Sequence, residues 1–301
     1  MGLTDQLNKP GDSNEITRNY FNSLLIEMRH FDSVLPSTEL TLYGETFKTP
    51  VMMAALSHLN NVWPDGMVEM ARGAKAADAV NWAGMGDEAE FERITATGAR
   101  TIKIIKPYAD HDMIMNRIEH AERHGAMAVG MDLDHSFSGN GQFDEILGLP
   151  MSPKTLDDIK QFVRSTRLPF VVKGVLSEQD ARKCLEAGVQ GIVVSHHHGI
   201  MRHAVPPLMI LPRIAKVING EMPIFVDCGV ADGYDVFKTL ALGATAVSAG
   251  RVIMEPLGKS GADGVRDTIV RITEELAGVM GRTCSPDLDH IDPAVIWPTE
   301  G

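Results

Sequence analysis

Two stretches decide how this chain is organised: PFVVKGVLSEQDARKCLEAGVQGIVVSHHHG at residues 169–199 and PIFVDCGVADGYDVFKTLALGATAVSAGR at 223–251. Each reads strand, helix, strand. In the first, an apolar run (169–175) gives way at Ser177, a good helix cap, to an amphipathic stretch that stops on Gly188. A second apolar run then begins at Gly191. Near-continuous apolar character over four to six residues marks strands buried on both faces, as in a parallel sheet.

The same beat extends outward in both directions. Strand-like segments stand at 50–56, 79–84, 101–106, 126–132, 169–175, 191–196, 223–228 and 246–251. Amphipathic stretches lie at 65–78, 87–97, 110–124, 155–166, 177–187, 207–218, 233–242 and 261–280, several capped by Asp87, Asp110, Ser177 or Asp263 and several ending on Gly98, Gly125, Gly188 or Gly243. This alternation predicts an α/β fold, a (β/α)8 TIM barrel over residues 49–284. An open doubly wound sheet is the alternative, and no GxGxxG follows the first strand to support it. Residues 1–48 read as an N-terminal extension, with a polar mobile start (1–15), a helix over 16–32 and a short hairpin around Gly44. Residues 285–301 read as a tail whose acidic run, Asp287–Asp292, is solvated.

Composition narrows the function. With 28 Lys+Arg against 40 Asp+Glu in 301 residues, the net charge is −12. Such a chain repels phosphate backbones and anionic membranes, so neither nucleic acid nor membrane is an expected partner. No apolar run approaches the roughly 18–20 residues of a membrane span. The N-terminus has neither the basic region nor the apolar core of a signal peptide. Cys184, Cys228 and Cys284 are odd in number and form no CxxC, which suits reduced thiols and a cytoplasmic location.

A barrel carries its chemistry at the carboxyl ends of its strands. The polar residues there are Ser57, His58, Asn81, Lys103, Lys106, Asp132, Asp134, Lys173, Ser195, His196, His197, His198, Asp227 and Arg251. Lys173 closes an apolar strand, where burial demands an anionic partner. A Schiff-base carbonyl, a phosphate, a reduced flavin, or an internal ion pair with Asp132 or Asp227 would each serve. Three adjacent histidines cannot all ligate one ion, so one catalytic histidine is expected and no metal. The glycines and Arg251 after strands seven and eight suit a phosphate cradle. The Gly-rich connection 135–154 reads as a lid.

Together these segments resemble the FMN-dependent α-hydroxy acid oxidase and dehydrogenase family, which includes the glycolate and lactate oxidases. The likeness is dense over 169–280 and looser but collinear over 31–134, including TLYGETFKTPVMMAAL and WPDG. It implies a homo-oligomer, tetrameric in the family, that binds FMN and oxidises the CH–OH group of a 2-hydroxy acid-like substrate by hydride transfer to the flavin; an FMN-dependent isomerase or reductase acting on a different substrate, or a flavin-binding protein without catalysis, are the alternatives. It further implies that His197 is the base, Asp132 its carboxylate partner and Lys173 the flavin's electrostatic partner. Ala54, Ala55, Gly84, Lys103, Ser195, Asp227, Gly229, Gly250 and Arg251 would join Lys173 in contacting the cofactor. The chain departs from the pattern where the family arginine that grips the substrate carboxylate is Ile200 and a phosphate-holding arginine is Ala231. Lys103 and Ile105 fall where the third strand carries glutamine and tyrosine, and His196 and His198 replace asparagine and glycine. His198, Arg202 and Lys106 are the candidates to meet the substrate instead.

Overall fold

A computed structural model describes residues 9–299. Eight parallel strands form its centre: β1 (Val51–Met53), β2 (Asn81–Ala83), β3 (Thr101–Ile105), β4 (Ala128–Asp132), β5 (Phe170–Val175), β6 (Gly191–Val194), β7 (Ile224–Val226) and β8 (Ala246–Ala249). The ladder runs β2-β3-β4-β5-β6-β7-β8-β1. Met53 N–H donates to the Val80 carbonyl at 3.0 Å and Gly84 N–H to that of Leu56 at 2.9 Å, bringing β1 back to β2. The expected (β/α)8 barrel is therefore observed. Each strand is shorter than its apolar run: six of the runs continue into the connection that leaves the barrel mouth, whereas β4 and β5 end with theirs.

Helices α1 (Gly66–Ala76), α2 (Glu88–Ala96), α3 (His111–Arg123), α4 (Leu156–Arg164), α5 (Glu178–Ala187), α6 (Pro207–Ile218), α7 (Gly233–Ala241) and α8 (Met254–Arg282) form the outer layer. Asp87, Asp110 and Ser177 cap α2, α3 and α5, each accepting from an N–H of the first turn. Asp263 caps nothing. The last helix begins at Met254 and is broken at Gly261, whose φ of 58° and ψ of −134° suit glycine.

The extension does two jobs. The hairpin Leu40–Leu42 with Glu45–Phe47 turns through Tyr43 (φ 50°) and Gly44 (φ 82°), both left-handed, as a two-residue hairpin turn requires. Leu40, Leu42 and Phe47 join Met52, Trp82 and Phe225 in the cluster filling the barrel interior. The Tyr43 hydroxyl donates to the Gln190 carbonyl just before β6, so the hairpin plugs the end opposite the mouth.

The leading helix, Ser13–Asn22, lies across the mouth loops. Arg18 grips Asp235 of α7 through two hydrogen bonds of 2.7 Å, and Phe21 is wholly buried. This helix is shorter than the expected 16–32. Leu24–Ile26 instead pairs antiparallel with Ile296–Pro298, because alternating burial against a partner strand outweighs the weak helical spacing there. Asp289 and Asp292 do face solvent, but the chain around them is docked: Val295 is buried and Asp292 meets Arg29 at 2.6 Å. Residues 1–8 of the expected mobile start lie outside the described residues, and its last three, 13–15, are instead the first turn of the leading helix, with Asp12 and Ser13 buried. Phe21→Ala should cost about 3–5 kcal/mol. Urea unfolding would read this as a lower midpoint at an unchanged m-value.

Candidate active site

Strand pleating sets which side chains reach the mouth. On β4, β5 and β6 the alternation that buries Ala128, Val171 and Val193 inside the barrel carries Asp132, Lys173 and Ser195 up to its rim. Lys173 Nζ donates to Asp132 Oδ1 at 3.1 Å and lies 3.7 Å from Asp227 Oδ2. Lys106 Nζ donates to the other Asp132 oxygen at 2.7 Å. One carboxylate thus bridges two ammonium groups, and the internal ion pair read as one option for Lys173 is present.

His197 stands over this bridge. Its Nδ1–H donates to Asp134 Oδ1 at 2.8 Å and has Asp132 Oδ1 at 3.4 Å. Lys173 Nζ is 3.1 Å from the same nitrogen, a contact of two donors made tolerable by the carboxylates around it. Burial and Lys173 disfavour the imidazolium, yet Asp132 and Asp134 outweigh them, and the His197 pKa is raised. Burial disfavours charge on Asp132 too, but Lys173, His197 and Lys106 together hold it well below the usual carboxylate range. On Lys173 burial is likewise overcome by Asp132, Asp227 and Asp134, so the ammonium stays charged.

A second histidine completes the group. His135, in the short helical turn after β4, places Nε2 3.0 Å from His197 Nε2, with the rings edge-to-face. Its Nδ1–H donates to Asp144 at 3.2 Å. Burial, His197 and Lys106 depress its pKa to about 4, so this ring is neutral and its Nε2 can accept the His197 Nε2–H whenever His197 is charged. Sequence reasoning passed over His135 as the first residue of a lid. Its one signal was the DLDH run, which follows Asp132 directly onto the working rim.

The remaining candidates divide. Ser195 Oγ accepts the His197 backbone N–H at 3.0 Å, fixing the turn from which that ring rises. His197 (φ 49°) and His198 (φ 56°) are consecutive left-handed residues, a strained pair of the kind that clusters at working sites. The Cys228 thiol donates to Asp227 Oδ1 at 3.0 Å. Gly229 has φ 88° and offers its carbonyl to Arg18, while Arg251 reaches Asn14 Oδ1 at 3.5 Å. A Cβ on Gly250 would stand 3.4 Å from Ala54 Cβ, and one on Gly84 would strike Ser57 Oγ at 2.6 Å and the Ala55 carbonyl at 2.7 Å.

Three expectations are corrected, those for Lys103, Arg202 and His198. Lys103 points out of the barrel, because Ile102 and Ile104 take the inward positions of β3; its amine donates to the Gly84 carbonyl and lies 5.3 Å from the Phe91 ring on the helix side. The inward pair on this strand is Ile104 and Lys106, one residue on from the pair matched by sequence. Arg202 is exposed and directed at the Pro10 carbonyl, 3.5 Å away. His198 turns from the Lys106 side of the mouth and donates to Asn14 Oδ1 at 2.6 Å, beside Arg251. His196 is a packing residue: it accepts the Gly199 N–H at Nδ1 and donates to Thr17 from Nε2.

Because Asp134 holds the His197 proton in place, Asp134→Asn should lower the His197 pKa. An imidazole titration by NMR would then show the deprotonated ring appearing at lower pH than in the wild type. An unshifted midpoint would mean that Asp132 alone sets it.

Comparison with known proteins fits this arrangement. The family model described as FMN-dependent dehydrogenase matches residues 6–157 and 151–298. Glycolate oxidase 3 of Arabidopsis thaliana is 28% identical, with 99% of this chain and 90% of that protein covered. The 4-hydroxymandelate oxidase of Amycolatopsis orientalis is also 28% identical, covering 81% of this chain and 78% of its own length. Among solved structures, a mandelate oxidase variant with an FMN adduct superposes with a TM-score of 0.88 at 27% identity, over 97% of this chain and 93% of that one. No helix among the described residues is long and apolar enough to cross a membrane. The fold, the strand-end cluster and the match over nearly the whole chain agree: this chain belongs to the FMN-dependent dehydrogenase family.

Proposed function

We propose that His197 removes the hydroxyl proton of a 2-hydroxy acid as its α-hydrogen leaves as hydride, with Asp134 and Asp132 steadying the imidazolium. The observation that carries this reading is the fixed group of His197, Asp134, Asp132 and Lys173 on the ends of β4 to β6. A buried imidazole with a raised pKa and two carboxylates beside Nδ1 is built to take a proton at Nε2.

The residues present suit FMN. Small Ala54 and Gly250 leave a gap that one added Cβ would close, and Arg251 with the turns at Gly229 and Gly250 offers cationic and backbone donors for a phosphate. Ala54, Ala55 and Gly84 would flank the ring system, with Ser195, Asp227 and Lys173 at its edge. When bound, FMN supplies the two-electron acceptor for the hydride. Lys173, kept protonated by three carboxylates, offers a permanent positive charge to an electron-rich group above it. Lys106 supplies the second cation of the mouth, where Ile200 has no charge to give.

His135 takes over the proton once product has left. It faces His197 Nε2 at 3.0 Å, and as it accepts there its Nδ1 proton passes to the partly exposed Asp144, clearing the base for another turnover. The reading includes a cytoplasmic location, on three unpaired thiols, and a homo-oligomer, on exposed Phe31, Leu35 and Trp297.

His197→Ala should retain flavin absorbance and lose anaerobic bleaching by 2-hydroxy acids by about 10²–10⁴-fold; bleaching at the wild-type rate would remove His197 from the role of base. His135→Phe should leave the first anaerobic reduction within about two-fold. It should slow steady-state turnover by about tenfold or more, with rescue by added imidazole. An equal loss in both rates would make His135 a substrate contact rather than a proton carrier.

A further inference from the structure

We infer that the outer face of α2 and α3 holds a site for one divalent transition-metal ion, formed by Glu92, His120 and His124. His120 lies in the last turn of α3 and His124, four residues on, is the residue that caps its C-terminus, so the two side chains come together at that end. Their rings stack with centroids 4.3 Å apart and planes 25° from parallel. They meet Glu92 of α2: His120 Nε2 is 3.1 Å and His124 Nε2 3.6 Å from the same oxygen, Oε1. Glu88 Oε2, one turn earlier on α2, is 4.0 Å from His120 Nε2.

These separations decide between two explanations. Two ligand atoms each about 2.1 Å from a zinc ion at a tetrahedral angle stand ~3.4 Å apart. The two nitrogen-to-oxygen spacings bracket that value, and all three ligand atoms lie within 4.8 Å of one another, so a rotation of the stacked rings would close them on an ion. If the group were only an ion pair, two stacked imidazoles would compete for one carboxylate oxygen, and charging both would set like charges face to face. A single cation satisfies two imidazole lone pairs and the carboxylate together. Two imidazole nitrogens with a carboxylate, and Glu88 or water as fourth ligand, suit zinc or its neighbours rather than calcium or magnesium.

The setting favours a cation. Asp87, Glu88 and Glu92 line this side, and the neighbouring cations are turned elsewhere: Arg117 donates to the Gly86 carbonyl at 3.2 Å and Lys103 to the Gly84 carbonyl at 2.6 Å. The ion would clasp α2, which buries only Phe91 and Ile94, onto α3. Expecting no metal rested on histidines 196–198 and overlooked the HxxxH spacing of His120 and His124. The clasp is separate from the mouth, where Asp132, Asp134, His135 and His197 also lie close enough together to hold an ion but Lys106 and Lys173 already occupy Asp132.

The test is a calorimetric zinc titration of the FMN-loaded full chain, stripped of metal and free of any histidine tag. The expected result is one ion per chain at micromolar or tighter affinity, with the melting temperature raised by a few degrees at saturation. His124→Ala and Glu92→Gln, both partly exposed, should each weaken binding at least tenfold while His135→Phe leaves it unchanged. Binding that survives His124→Ala, binding lost in His135→Phe, or no one-to-one binding below about 100 μM would each overturn the assignment.

Discussion

The mouth of this barrel depends on the carboxylate of Asp132. Its two oxygens are spent on separate ammonium groups, Lys106 at 2.7 Å and Lys173 at 3.1 Å, while His197 Nδ1 lies 3.4 Å away. Removing lysines from water is costly, and Lys173 unpaired here would lose its proton instead. Held by Asp132 and its neighbouring carboxylates it remains charged, and the histidine above it gains rather than loses basicity. Asp134 and Asp227 complete the balance, so the site gathers cations without an excess of either sign.

Packing from outside the barrel holds that cluster in place. The hairpin around Gly44 fills the lower interior, so side chains stacked above it are pressed toward the mouth. The leading helix works from the other end. Through Arg18 to Asp235, Thr17 to His196 and Asn14 to His198, it ties down the connections after β6 and β7. Those contacts support the left-handed backbone at His197 and His198, a conformation that costs roughly 1–2 kcal/mol per residue and persists only where its surroundings insist on it. A helix that sequence patterning marks only as an appendage is thereby part of how His197 is aimed.

The resemblance to hydroxy acid oxidases and the geometry illuminate each other at the points of departure. Ile200 removes a charge that the family pattern places beside the substrate, and the structure offers no arginine in exchange, since Arg202 faces outward. The positive charge of the mouth comes instead from Lys106 on the third strand, and the added polar reach from His135 and Asp144 on the fourth connection. In the proposed reading, recognition moves from the loop after β6 to the strands and loop on the opposite side of His197.

Much was legible from the amino-acid order alone, because it follows from local periodicity. Eight apolar runs alternating with capped amphipathic stretches determined the barrel, the rule that barrels work at strand ends put Asp132, Lys173 and His197 among the candidates, and the family resemblance assigned their roles. The third strand shows where that reading stops. Lys103 and Lys106 both sit in TIKIIK, and only the register of β3 against β2 and β4 turns the first outward and the second onto Asp132. A shift of one residue reverses every side chain of a strand, and an apolar run buried on both faces carries no alternation by which to detect it. His135 with His197, Asn14 with His198, and Glu92 with His120 are likewise products of tertiary structure. Each pair joins segments far apart in the chain, and their distances are set by how helices and loops pack around the closed sheet.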